Sequence, residues 1–180
     1  VTDALDISND AAPLVLASSS PRRRVLLAML QVPVHVIPAD LDEAELSRGL
    51  DPLEAAVLLA KAKASAVDGK GRPVLGADTV VSLNGEVLGK PTDPAHGEAM
   101  LRRQFSQVVQ VISCVALRRP NGDMDDRVAI STLQVGEIDD ASLAEYLSSG
   151  EADDKAGALA VQGGAKAFTT LVDGSRSNVV

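Results

Sequence analysis

"LVLASSSPRRRVLLAMLQVPVHVI", residues 14–37, decides the fold class. "LVLA" (14–17) is a short apolar run of the buried-strand type. Ser20-Pro21 then opens a helix over 21–31. Ser20 is the N-cap, and Pro21 takes the first helical position, where its missing N–H is not needed. "VHVI" (34–37) is a second short strand. Strand, helix and strand in quick succession make a crossover-type beginning, which favours parallel pairing.

Working outward, residues 52–68 carry a long Ala- and Leu-rich helical pattern. "VLGADTVVSL" (74–83) is a strand, and Asn84-Gly85 before "EVLG" is a strong hairpin signal. Asp93 and Pro94 open the helix "DPAHGEAMLRRQF". "VVQVISCVALR" (108–118) and "RVAISTLQV" (127–135) are strands joined through Asn121-Gly122. A helix over 139–149 stops at Gly150. After a Gly/Ala-rich stretch, "FTTLV" is the last strand, ending in a turn at "DGS". One crossover followed by hairpins predicts a single α/β domain, a mixed sheet flanked by helices. Residues 1–13 read as a flexible N-terminal extension and 14–180 as the domain.

Composition narrows the function. Lys and Arg number 17 against 25 Asp and Glu, a net charge of −8. Such a chain is a poor binder of nucleic acid or of anionic membrane. Aromatics are 2% of residues, too few for base-stacking platforms. No apolar run reaches membrane-spanning length, and "VTDALDISNDAAP" lacks the pattern of a signal peptide. The single Cys114 excludes an internal disulfide and any multi-Cys metal site, and fits a reducing cytoplasm.

Against this acidic background, Arg22, Arg23 and Arg24 occupy the first turn of a helix. The dipole there already presents its positive end, so acidic side chains are favoured and cations are not. The arrangement makes sense if the anion belongs to a ligand. Backbone N–H groups at a helix start and guanidinium forks both suit phosphate. The plain alternative is a solvated basic patch. The G-x-x-x-x-G-K pattern of a Walker A loop is absent.

Four further features carry chemistry. A two-residue turn at Asn84-Gly85 sets Leu83 opposite Glu86, Val81 opposite Leu88, and Thr79 opposite Lys90, which brings Lys90 beside Asp78. This reads as a catalytic acid–cation pair or as a simple cross-strand ion pair. In "LEAAVLLAKAKASAV", Lys63 shares a stripe with Ala56, Leu59, Ala60 and Val67, whereas Lys61 lies with Glu54 and Asp68. A lysine on that stripe must find an anion or snorkel outward, the commoner outcome. "DDKAGALAVQGG" offers Gly157, Gly163 and Gly164 for close backbone approach and Gln162 as an amide that can read a base; it also reads as a mere turn. Asp40, Asp42 and Glu43 supply hard oxygen donors for a divalent cation, or form a solvated acidic loop.

Taken in order, "ASSSPRRRVLL", "DLDE", "LAKAKA", "VLGADTVV", "LGKP", "DKAG", "VQG" and "GSRSNVV" resemble the Maf family of nucleotide pyrophosphatases from about Leu14 to Val180. The resemblance implies the α/β fold shared with ITP pyrophosphatases. It also implies hydrolysis of a nucleoside triphosphate to the monophosphate and pyrophosphate with Mg²⁺ or Mn²⁺, and a homodimer. It assigns Ser18, Arg22 and Arg23 to the polyphosphate, and Lys63, Lys90 and Asp78 to catalysis. Glu43 is an acidic member of the site, so Glu43 and Asp78 are the metal-ligand candidates. Asp78 is either the base that orients water or a ligand. Arg22, Thr79 and Gln162, together with "DKAG", match the branch that prefers dTTP and UTP over the one that prefers 7-methyl-GTP. Modified pyrimidine nucleotides fit the same house-cleaning role. The competing reading is a non-catalytic nucleotide-binding regulator linked to septum formation.

Three places depart from the family. "QFSQVVQV" (104–111) replaces a Ser-Gly and Thr-His run with Phe105-Ser106 and Val108-Val109, Leu159 replaces a Tyr, and Arg176 replaces another. The family also continues past the position of Val180 with Gly-Leu-Pro and a helix, so the domain is expected to be incomplete at that end.

Overall fold

The parallel core forms as the opening stretch requires. In this computed structural model, which describes residues 13–179, β1 (Leu14–Leu16) lies parallel to β2 (Val34–Val36), with Leu14 opposite Val34 and Leu16 opposite Val36. On its other side β1 pairs in parallel with β3 (Val74–Leu83), Val15 opposite Val74. Between β1 and β2 runs α1 (Pro21–Met29), with Ser20 at the N-cap position in extended conformation, its side chain making no cap hydrogen bond, and Pro21 in the first turn. The expected extension, residues 1–13, lies outside the described residues except for Pro13.

Seven strands hydrogen-bond in the order β2–β1–β3–β5–β6–β7, with β4 (Glu86–Leu88) on β3. β5 is Val108–Arg118, β6 Met124–Val135 and β7 Thr169–Asp173. β3/β4 and β6/β7 are antiparallel, so the sheet is mixed. The remaining helices are α2 (Glu43–Leu46), α3 (Pro52–Ala66), α4 (Pro94–Gln104) and α5 (Asp140–Ser148).

Chain contacts divide these elements into two units. Among the described residues, 13–49, 55–78 and 114–128 form the first, and 50–54, 79–113 and 129–179 the second. The first unit buries Val15, Ala17, Val67 and Val74, with Ile37 and Ala39 against them. The second has the larger core, including Leu88, Leu101, Val109, Leu133, Leu143 and Phe168. Aromatics are scarce but concentrated there: Phe168 meets Tyr146 and Phe105 edge to face at 5.4 and 6.5 Å, the preferred geometry for such rings.

Two expectations shift in detail. The acidic segment over 40–46, for which a solvated loop was one of two readings, is not all loop: residues 43–46 fold into α2, because Asp42 caps it by accepting the Glu45 N–H at 2.9 Å. β6 starts at Met124, three residues before Arg127, because the Asn121-Gly122 turn closes with the Arg119 N–H bonded to the Asp123 carbonyl at 2.7 Å.

Candidate active site

In the first unit, "ASSSPRRR" builds a socket for negative charge. Ser18 is buried, 6% exposed. Its Oγ accepts two hydrogen bonds, from the Ser20 N–H at 3.2 Å and from Arg23 Nη1 at 2.9 Å. The hydroxyl proton of Ser18 therefore remains for a further acceptor. No acidic residue stands in the first turn of α1, so the positive end of the dipole and the arginines add rather than cancel. Arg22 and Arg23 are partly buried, and Arg24 is exposed. Burial pushes the Arg23 guanidinium below its ordinary value; Asp78 and Glu43 oppose that, and Arg22 adds to it.

Lys63 is at the centre of the same unit. It does not snorkel: its side chain is 8% exposed. Its Nζ donates to Asp78 Oδ1 at 2.6 Å and lies 2.9 Å from Glu43 Oε2. Asp78 is equally buried at 8%, whereas Glu43 is half exposed at 50%. The anion that the apolar stripe demanded is thus supplied twice, and a buried charge is paired as it must be. The bond from Lys63 falls on Oδ1 of the Asp78 carboxylate.

Backbone contact makes this pairing possible. A Cβ on Gly76 would come within 2.1 Å of the Ala60 carbonyl oxygen and 2.6 Å of the Ala64 nitrogen. Only glycine lets α3 lie this close to β3. The turn of α3 above Gly76 carries Lys63, and Asp78 follows two residues along β3. On the other face, Lys61 pairs with Asp126 at 2.8 Å, not with Glu54 or Asp68.

Of the acidic residues after β2, Glu43 alone joins the cluster. Asp42 is spent on the cap of α2, and Asp40 is exposed. No group of three His, Cys, Asp or Glu side chains suited to a metal occurs among the described residues. Glu43 and Asp78 still fit a hard divalent cation of the kind that takes one or two carboxylates and completes its shell with water and phosphate oxygens.

The remaining candidates belong to the second unit. The β3/β4 ladder has the expected register, Leu83 opposite Glu86 and Val81 opposite Leu88, but it stops there. Lys90 is exposed, two residues past the end of β4, because the Gly89 carbonyl turns aside to accept the Gly157 N–H at 2.9 Å. The pairing of Thr79 with Lys90 therefore does not form. Instead, Thr79 Oγ1 lies 2.9 Å from Ser113 Oγ. Asn178 Nδ2 donates to the Val111 carbonyl and to Ser131 Oγ, both at 2.9 Å, so "GSRSN" is tied to β5 and β6 by a hydrogen-bonded knot. Gln162 is exposed and lines a cleft of about 430 Å³, with Leu133, Val161 and Leu171 as apolar wall and Lys166 and Arg176 as cations.

The departures from the family pattern acquire places here. Phe105 packs on Phe168, and Ser106 Oγ donates to Glu137 at 2.7 Å. Leu159 is buried in a segment pinned by Tyr146, whose hydroxyl donates to the Ala158 carbonyl and accepts from the Ala160 N–H. Sequence reading missed Ser113 and Asn178, and also Arg118, which bonds the end of α3 (Nε to the Ala64 carbonyl, 2.8 Å; Nη2 to the Val67 carbonyl, 2.5 Å). Gly76, a glycine inside an apolar strand, is itself a signal for close backbone approach; Ser113, Asn178 and Arg118 carry none.

Comparison with known proteins gives consistent results. A family model described as Maf-like protein matches residues 13–180. A dTTP/UTP pyrophosphatase of Hyphomonas neptunium is 39% identical over 171 residues, 94% of this chain and 89% of that protein. Another, of Anaeromyxobacter dehalogenans, is 43% identical over 173 residues, 94% of this chain and 88% of that protein. A solved structure of the Staphylococcus aureus Ham1 protein superposes with a TM-score of 0.48 at 18% identity, over 68% of this chain and 71% of that one.

Proposed function

The chain belongs to the Maf-like protein family, and from that premise we propose that it is a nucleoside triphosphate pyrophosphatase that hydrolyses dTTP and UTP to the monophosphate and pyrophosphate. The observation that carries this reading is the buried Lys63–Asp78 pair, with Glu43 on the same ammonium, in the unit that also holds the Ser18–Arg23 socket. The names of the two relatives support the substrate class.

Each residue has a task in this reading. The Ser18 hydroxyl, the first N–H groups of α1, Arg22 and Arg23 hold phosphate oxygens and neutralise charge that builds on them in the transition state. Lys63 fixes Asp78 through Oδ1, and the Asp78 carboxylate acts either as the base that orients the attacking water and takes its proton or as a metal ligand. Where Asp78 serves as a ligand, Glu43 and Asp78 would hold a divalent cation, which would supply further charge neutralisation. Lys90 stabilises charge on phosphate oxygens. Arg22, Thr79 and Gln162 select the base. Gln162, which carries both a donor and an acceptor, suits the edge of a uracil ring.

In this reading the enzyme works in the cytoplasm as a homodimer. The single Cys114 is buried and free, and no helix among the described residues is long and apolar enough to cross a membrane. On α1 and its cap, Val25, Met29 and Leu30 are 58%, 74% and 71% exposed and offer an apolar surface to a second copy. The test of the site is Asp78→Asn, which keeps size and removes charge. Pyrophosphate release from dTTP is expected to fall at least about 10²-fold. Wild-type turnover in a folded variant overturns the role of Asp78.

A further inference from the structure

We propose that Arg118, at the end of β5, is a positioning residue that acts on the reaction through Lys63; the proposal rests on the reading of the Lys63–Asp78 pair as the reacting centre.

A helix ends with carbonyls that have no partner of their own. At the end of α3 the guanidinium of Arg118 takes two of them, Ala64 at 2.8 Å and Val67 at 2.5 Å. Its charge also stands at the negative end of the helix dipole. Lys63 precedes Ala64 directly and lies in the last turn of α3. On the other side of that turn, the backbones of Ala60 and Ala64 rest on Gly76 with no room for a Cβ. The turn that carries Lys63 is therefore held from two directions, by β3 beneath it and by Arg118 beyond it. Lys63 itself has a flexible stem, and its ammonium must meet two carboxylates at once, at 2.6 and 2.9 Å. Arg118 touches neither carboxylate and neither serves nor replaces Lys63. It sets the position and rotation of the turn from which Lys63 starts.

The test uses the full chain and the variants Arg118→Ala, Arg118→Lys, Lys63→Gln and Arg118→Ala/Lys63→Gln, assayed well below the melting temperature of each. Arg118→Ala is expected to lower kcat for dTTP roughly 10- to 100-fold, the scale of an ångström-level misplacement, with KM within about twofold. Arg118→Lys recovers part of the loss, since an ammonium reaches one carbonyl but cannot fork between two. In the Lys63→Gln background, removal of Arg118 still lowers the melting temperature and lowers kcat no further. A merely structural role gives the opposite pattern: a lower melting temperature with kcat per folded molecule unchanged, or the same fold loss in both backgrounds. Either result overturns the proposal. The ¹⁵N signal of the Lys63 ammonium provides a readout independent of turnover. It is expected to be observable and slow to exchange in the wild type and lost in Arg118→Ala. A wild type that fails to turn over dTTP strikes the pyrophosphatase reading alone, and an ammonium signal unaltered in Arg118→Ala strikes the positioning proposal alone.

Discussion

Lys63→Met replaces a buried ammonium with an uncharged chain of similar length, and its cost follows from burial. Lys63 and Asp78 are both 8% exposed and 2.6 Å apart. Breaking a buried pair from one side costs about 3–5 kcal/mol, because the partner charge is left uncompensated. The contact with Glu43 adds little: that carboxylate is 50% exposed, and such pairs are worth about 0–1 kcal/mol. In a domain of this size the loss corresponds to a fall in Tm of about 6–20 °C. Asp78→Asn in the same molecule removes the stranded charge. Lys63→Met/Asp78→Asn is therefore expected to be more stable than Lys63→Met, within about 1–2 kcal/mol of wild type, while remaining inactive. Urea unfolding of the four proteins at pH 8 measures the cycle. Additive single-mutant effects, within about 0.5 kcal/mol, would refute the reasoning, since they would mean that the two charges do not depend on each other.

Arg23→Ala is expected to weaken triphosphate binding by about 1.5–3 kcal/mol, the range for charge-assisted hydrogen bonds, while the exposed Arg24→Ala changes it little; titration of dTTP into Asp78→Asn and its double variants measures both. Asp139 caps α5 by accepting the Ser142 N–H at 2.8 Å, and this bond holds its carboxyl below the usual range. A carboxyl lower in the folded than in the unfolded chain stabilises above the unfolded value of about 3.9 and loses that contribution as pH falls through the folded value. The Tm gap between wild type and Asp139→Ala is therefore expected at pH 7 and closes in acid; a gap that persists undiminished at pH 2 contradicts it.

The fold was legible where local chemistry agrees with tertiary packing. Ser20-Pro21, Asn84-Gly85, Asp93-Pro94 and Asn121-Gly122 each mark a boundary on the spot: Asp93 by capping α4, Pro21 by needing no N–H partner in the first turn, and the two Asn-Gly pairs by turn geometry. The short helix after β2 is not legible in the sequence, because a four-residue helix has no periodicity to detect, only its cap at Asp42. At the site, the Arg triplet and the stripe position of Lys63 raised the right question: which anion answers these cations? They did not identify Glu43 and Asp78 as the pair that meets Lys63, because those contacts join α2, α3 and β3 across the chain. The expected Thr79–Lys90 pairing failed for a similar reason. Hairpin arithmetic extends a ladder indefinitely, whereas β4 ends at Leu88 when Gly89 bonds to Gly157. Ser113, Arg118 and Asn178 act through hydrogen bonds to distant backbone and side chains, which leave no pattern in a single sequence.

The central claim is tested most directly by incubating the purified wild-type chain with Mg²⁺ or Mn²⁺ and one triphosphate at a time, with the phosphorus products resolved by NMR. The triphosphates are dTTP, UTP, CTP, ATP, GTP and 7-methyl-GTP. The account predicts pyrophosphate and the monophosphate as the paired products. It predicts dTTP and UTP above CTP by at least about tenfold in kcat/KM, because the reversed hydrogen-bond pattern of cytosine leaves a buried partner unpaired, with purines lower still. Release of orthophosphate, or a purine or 7-methyl-GTP as the best substrate, contradicts it.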